Sequence, residues 1–118
     1  MTQRGDVVIV AFPYVTGGAG KNRPALVIQC DQNNQRLSNT IVAMITGNTR
    51  LATTEPSQLL IDPTTADGRG SGLTHASAVK CENLYTISQR DIIRTVGTLS
   101  PVLMSRIDDC LKAALALS

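Results

Sequence analysis

Apolar residues in this chain come in short, punctuated runs, and that pattern narrows its fold more than any other feature. Asp6 to Phe12 reads Asp-Val-Val-Ile-Val-Ala-Phe between Gly5 and Pro13, Pro24 to Cys30 reads Pro-Ala-Leu-Val-Ile-Gln-Cys, and Thr40 to Ile45 reads Thr-Ile-Val-Ala-Met-Ile. Runs this short, rich in β-branched residues and bounded by Gly, Pro and Asn, predict buried strands rather than helices. Pro24 is expected at the first position of the second strand, where its missing N–H does least harm. Ser57 to Ile61 predicts a fourth strand, short enough for an edge, and Ser77 to Glu82 a fifth that Asn83 to Ile87 either continues or bends away from. Ser88 is placed to cap a short helical turn reaching Ile93, and Thr95 to Leu99 predicts the last strand. Residues 13–20 and the polar run Asp31 to Asn39 read as connections. Asp62 to Gly72, with three glycines and Pro63, is expected to be the most flexible segment and to order on binding.

The end of the chain changes period. Ser100 is a suitable N-cap, Pro101 suits the first helical position, and Met104, Ile107, Leu111 and Ala114 recur at spacings of 3, 4 and 3. One face of this helix is therefore apolar and packs on the sheet. Consecutive strands closed by one helix predict a mainly β fold, a small, bent antiparallel sheet or partly open barrel with a C-terminal helix. At 118 residues the chain is expected to form one domain, residues 1–118, with a real core.

Bulk composition removes several classes of function. Hydrophobic residues make up 42% of the chain and are never gathered into one long span, so no transmembrane helix is predicted. Met1 to Asp6 lacks the layout of a secretory signal, and Cys30, Cys81 and Cys110 are odd in number and widely spaced; both point to reduced thiols and a cytoplasmic location. Arg4-Gly5-Asp6 spells an adhesion tripeptide, but Gly5 as a turn before the first strand accounts for it. A net charge of +2 does not itself demand a nucleic acid, yet Lys21, Arg23, Arg36 and Arg50 are opposed in their part of the chain only by Asp31. With Phe12, Tyr14 and Tyr85 as the only aromatics, RNA would lie in a groove with one or two stacking contacts rather than on a broad aromatic platform.

Lys21-Asn22-Arg23-Pro24 runs from the glycine-rich stretch Gly17 to Gly20 into the second strand. A guanidinium on a rigid strand suits a phosphate; a hairpin turn carrying two solvated cations is the alternative. A P-loop is excluded, since Val15 stands where that motif needs Gly and Asn22 where it needs Ser or Thr. Metal and triad chemistry lack ligands and bases, because His75 is the only histidine and reads as a surface residue. No cofactor is called for. Three strand ends remain that carry polar groups out of apolar runs: Arg23, Thr46, and Lys80 with Glu82. RNA brings its own nucleophile, the 2′-OH. An enzyme need only take that proton, stabilise charge on the phosphorus oxygens and help the 5′-oxygen leave. In this reading Arg23 holds the non-bridging oxygens, Thr46 hydrogen-bonds the phosphate and Glu82 accepts the 2′-OH proton. A plain strand-end hydroxyl and a surface partner of Lys80 are the corresponding structural alternatives for Thr46 and Glu82.

Arg4-Gly5-Asp6, the glycine-rich turn into Asn22-Arg23-Pro24-Ala25-Leu26-Val27-Ile28-Gln29, Val42 to Thr46, Ser77 to Glu82 followed by Thr86-Ile87, and Val96 to Leu99 together resemble the MazF/PemK family of toxin endoribonucleases. The resemblance covers nearly the whole chain. It implies an SH3-like, CcdB/PemK-type barrel, a homodimer, a cognate antitoxin that binds over the RNA groove, and metal-independent, sequence-specific cleavage of single-stranded mRNA. The family's catalytic Arg and Thr fall on Arg23 and Thr46. Its contributing basic and acidic residues fall on Lys80 and Glu82, with Lys in place of Arg and Glu in place of Asp. Phe12, Lys21, Asn22, Asn48, Arg50 and Lys80 are the expected RNA contacts. Many members carry a polar pair such as Glu-Gln in the turn before the Arg-Pro element, where this chain has only Gly and Ala. Two alternatives stay open: a CcdB-like toxin that binds a protein such as DNA gyrase, and a degenerate member that keeps only antitoxin binding. The first normally needs an aromatic near the end of the last helix, and Ala114 to Ser118 contains none.

Overall fold

The computed structural model describes residues 1–12 and 21–118. Over these residues the strands are β1 (Asp6–Phe12), β2 (Lys21–Val27), β3 (Asn39–Thr46), β4 (Gln58–Ile61), β5 (Ser77–Ser88) and β6 (Ile92–Thr98), and the helices are α1 (Asp31–Arg36) and α2 (Pro101–Leu115). All strand pairs are antiparallel, in the order β4-β5-β3-β2-β1-β6, so β4 and β6 are the free edges of an open sheet. The mainly β fold closed by a C-terminal helix is as the sequence implies. The expected connection at 13–20, including the glycine-rich turn, lies outside the described residues.

Alternation along the strands sorts the core into two faces. Val7, Leu26, Ala43, Ile45, Val79 and Cys81 point to α2 and pack with its Leu103, Ile107 and Cys110; Met104, Leu111 and Ala114 flank that contact. Val8, Val10, Phe12, Ala25, Val27, Val42 and Ile87 fill the other face. Helix α2 begins as expected, with Ser100 Oγ accepting the Leu103 N–H at 3.2 Å and Pro101 in its first turn. Its Asp108 holds Arg4 at 2.7 Å, and Gly5 turns with φ +96°, so Arg4-Gly5-Asp6 is a structural tie between the N-terminus and the helix. Among the described residues no helix is long and apolar enough to cross a membrane.

The turn capped by Ser88 stops at Asp91 and β6 begins at Ile92, ahead of the expected Thr95. Three further sequence expectations change. The polar run after Cys30 contains α1, whose Asn34 is buried: Asn34 Oδ1 accepts from Gln29 Nε2 at 2.9 Å and Thr40 Oγ1 at 2.7 Å, and its backbone carbonyl accepts from Gln89 Nε2 at 2.8 Å. Residues 62–72 are not a slack loop but a packed segment containing a 3₁₀ turn, Arg69–Ser71. A Cβ at Gly68 would lie 2.0 Å from the Asp62 carbonyl oxygen, and one at Gly72, where φ is +75°, 2.0 Å from that of Val96. Their glycines mark backbone packed on backbone rather than freedom to move. Finally, β2 starts at Lys21, which puts Pro24 inside the strand rather than at its start. It is tolerated because ladder pairing with β3 begins only at Ala25, so β2 from Lys21 to Arg23 pairs with β1 alone.

Candidate active site

That stretch of β2, paired with β1 but not with β3, opens the site. Continuing the register from the Ala25–Met44 pair brings Arg23 level with Thr46, the last residue of β3, with no ladder drawn between them. Beyond Thr46, β5 contributes Lys80, which pairs with Met44 on one side and Gln58 on the other. Adjacent residues Met44 and Ala43 pair with Lys80 and Leu84, so Cys81, Glu82 and Asn83 bulge out of register with β3. The bulge redirects β5 and carries Asn83 and Tyr85 to the same side as Lys80.

Three clefts meet at Thr46. One, of about 260 Å³, is lined by Arg23, Met44, Ile45, Lys80, Asn83 and Tyr85 as well. A second, of about 320 Å³, lies between Arg23, Pro24 and Gly47 and the opposing Thr74, His75 and Arg94. The third adds Asn48, Arg50, Leu51, Gln58 and Lys80. None of the described residues lining them is a carboxylate. Arg23 makes no ion pair among the described residues, and its buried Nε finds no hydrogen-bond partner there. An unpaired, desolvated guanidinium donor is costly in an empty site and is satisfied by an anionic ligand. Thr46 Oγ1 accepts the Asn48 N–H at 3.1 Å, which leaves its own proton to donate outward. Asn48 Oδ1 in turn accepts the Arg50 N–H at 3.1 Å, so the turn after β3 is held by its own side chains.

The structure thus gathers Arg23, Thr46, Lys80, Asn48 and Arg50 as the sequence suggests. It does not gather the rest. Glu82 lines none of the three clefts; it accepts from Ser57 Oγ at 3.1 Å and from Gln58 Nε2 at 2.7 Å, at the β4 edge. Burial pushes its carboxyl up, but hydrogen bonds from Gln58, its own backbone and Ser57, with the charge of Lys80, outweigh that and hold it below its ordinary value. A carboxylate so satisfied is a poor base. Phe12 is fully buried, its ring edge-on to Tyr85 with centroids 5.3 Å apart, so it cannot stack on a base; the exposed ring of the pair is Tyr85. Lys21 is exposed and pairs with Phe12 on Arg23's side of β2, whereas Asn22, paired with Ala11, faces the opposite side by strand alternation. Sequence reasoning also missed His75 as a member of the Arg23–Thr46 cleft. Its only signal was being the lone histidine. Among the described residues no three His, Cys, Asp or Glu side chains come together as metal ligands would.

Residues 3–115 match the family described as PemK-like, MazF-like toxin of type II toxin-antitoxin system. The chain is 36% identical over 98 residues to endoribonuclease MazF2 of Mycobacterium bovis, covering 82% of this chain and 81% of the relative. It is 26% identical over 121 residues to endoribonuclease MazF9 of Mycobacterium tuberculosis, covering 99% and 98%. Among solved structures, a mycobacterial endoribonuclease in complex with its cognate antitoxin superposes with a TM-score of 0.80 at 21% identity, over 100% of this chain and 98% of that one. A MazE-MazF structure from Deinococcus radiodurans gives 0.74 at 16% identity, over 99% and 97%. The structural matches carry the fold; the matched family and the curated relatives carry the activity, and the chain belongs to the PemK/MazF family of type II toxin–antitoxin systems as an endoribonuclease toxin.

Proposed function

We propose that this toxin cleaves single-stranded mRNA at specific sequences, without a metal, by attack of the 2′-OH on the adjacent phosphate to leave a 2′,3′-cyclic phosphate and a 5′-OH. The observation that carries this reading is the guanidinium of Arg23, without a carboxylate partner among the described residues and level with a Thr46 hydroxyl free to donate. Arg23 holds the non-bridging oxygens and stabilises the charge that grows on them, and Thr46 adds a hydrogen bond to the same phosphate. Lys80, Arg50 and Asn48 track the neighbouring backbone. Tyr85, rather than Phe12, offers the stacking face for a base. Solved relatives bound to antitoxins support a cognate antitoxin that caps this groove. Relatives named as endoribonucleases favour RNA cleavage over a gyrase-type protein target.

The test is a long mRNA incubated with the protein in EDTA, with fragment ends identified chemically. Cleavage is expected to persist, to fall about 10²- to 10³-fold in Arg23→Ala, the loss typical of one removed oxyanion donor, and to fall about 10- to 100-fold in Thr46→Ala, as for a lost hydrogen bond to a charged group. No cleavage, or equal cleavage by Arg23→Ala, would exclude the mechanism.

A further inference from the structure

Attack by the 2′-OH stalls unless the departing 5′-oxygen acquires a proton. Arg23 stays protonated and Thr46 is a weak acid, so neither delivers one readily. Resting on the ribonuclease reading above, we infer that His75 is the general acid, giving its Nε2 proton to the 5′-oxygen as that bond breaks. Three observations converge on it. His75 lines the cleft that holds Arg23 and Thr46. Its Nε2 reaches over the residue after Thr46, 3.2 Å from where a Gly47 Cβ would stand, so the glycine lets the ring lie close against the end of β3. And Thr74 Oγ1 lies 3.1 Å from its Nδ1, a partner that fixes the ring and leaves Nε2 as the working nitrogen.

Imidazole is also the side chain best able to give a proton near neutral pH. Among the described residues that line the cleft, the charged groups are the guanidiniums of Arg23 on β2 and Arg94 on β6. A phosphodiester seated at Arg23 brings the negative charge against which an imidazolium can stand beside both. The step balances: the O2′–P bond forms, the P–O5′ bond breaks, the Nε2 proton goes to O5′, and the 2′-OH proton leaves to solvent. The imidazole then recovers a proton from water.

A bridging-sulfur substrate isolates this role. In a short RNA with one cleavage site, replacing the 5′-oxygen of the scissile linkage by sulfur creates a leaving group that departs as thiolate with no proton. His75→Gln is exposed at the surface, so folding is not at risk, and it is expected to cleave the oxygen substrate about 10²- to 10⁴-fold more slowly than wild type while cleaving the sulfur substrate within about threefold. Thr74→Ala, which releases the ring, is expected to show a smaller loss with the same rescue by sulfur. Full activity of His75→Gln on the oxygen substrate, or an equal loss on both substrates, would overturn the assignment. Wild-type protein that cleaves neither substrate would instead take down the ribonuclease reading, and this one with it.

Discussion

Glu82 separates what its position in the chain suggests from what its surroundings allow. It follows Lys80 by two residues and is the nearest acid to the site in sequence, yet both of its oxygens are engaged by Ser57 and Gln58. Cleavage by Glu82→Gln is therefore expected to stay within about threefold of wild type, the scale of an ordinary surface substitution. A loss near that of Arg23→Ala would restore Glu82 as the base. Stability should respond instead. Because the folded carboxyl titrates below its ordinary value, its ionised form stabilises the fold at pH values above that ordinary value, and the contribution disappears as the pH falls through the lower folded one. Thermal melts should then show Glu82→Gln less stable than wild type at pH 7, with the gap closing towards pH 3. A gap independent of pH would mean that the charge of Glu82 contributes nothing to the fold.

The packed segment from residue 62 to 72 leads directly into His75, and its anchor is β6. Gly97 pairs with Val7 on one side, and on the other a Cβ there would lie 2.3 Å from the Ser71 carbonyl carbon and 2.4 Å from the Gly70 oxygen. Backbone cannot yield as a side chain tip does, so Gly97→Ala should cost at least about 1–3 kcal/mol, as overpacking usually does, and lower the melting temperature by several degrees. Its folded fraction should also cleave more slowly, because the segment that carries His75 is displaced; an unchanged melt and unchanged cleavage would show that this contact is not rigid. The same contrast explains what could be read in advance. The strands and α2 were legible because apolar period, capping Ser100 and bounding glycines are local signals. Helix α1 was not, since its six polar residues are organised by Asn34 reaching Gln29, Thr40 and Gln89 across the fold. Arg23, Thr46 and Lys80 were legible as polar strand ends. Tyr85 and His75 enter the site only through the bulge at Cys81–Asn83 and the packing of residues 62–72, neither of which leaves a mark in spacing.

Charge is distributed unevenly across the protein, and that bears on how it holds RNA. The net charge is only +2, yet Arg23, Arg50, Lys80 and Arg94 all line clefts that meet at Thr46, with no carboxylate among the described lining residues. A single strand lying across them would release counterions at up to four phosphates, so log Kd should change with log salt with a slope of magnitude roughly 2 to 3. The chain contains no Trp and only two Tyr, Tyr14 and Tyr85, so in Tyr14→Phe the tyrosine emission comes from Tyr85 alone. Titrating that variant with an RNA made uncleavable by a single 2′-deoxy substitution at the scissile nucleotide should quench the emission as a base stacks on the exposed ring. Each of Arg50→Ala and Arg94→Ala should reduce the slope by about 0.7, the single-strand value for one phosphate contact. Tyr85→Leu should weaken binding by about 1–3 kcal/mol, the usual worth of one stacked base, with the salt slope unchanged. Quenching without a salt slope would mean that the cations do not meet phosphate; a slope without quenching would put the RNA in the groove but leave Tyr85 out of the contact.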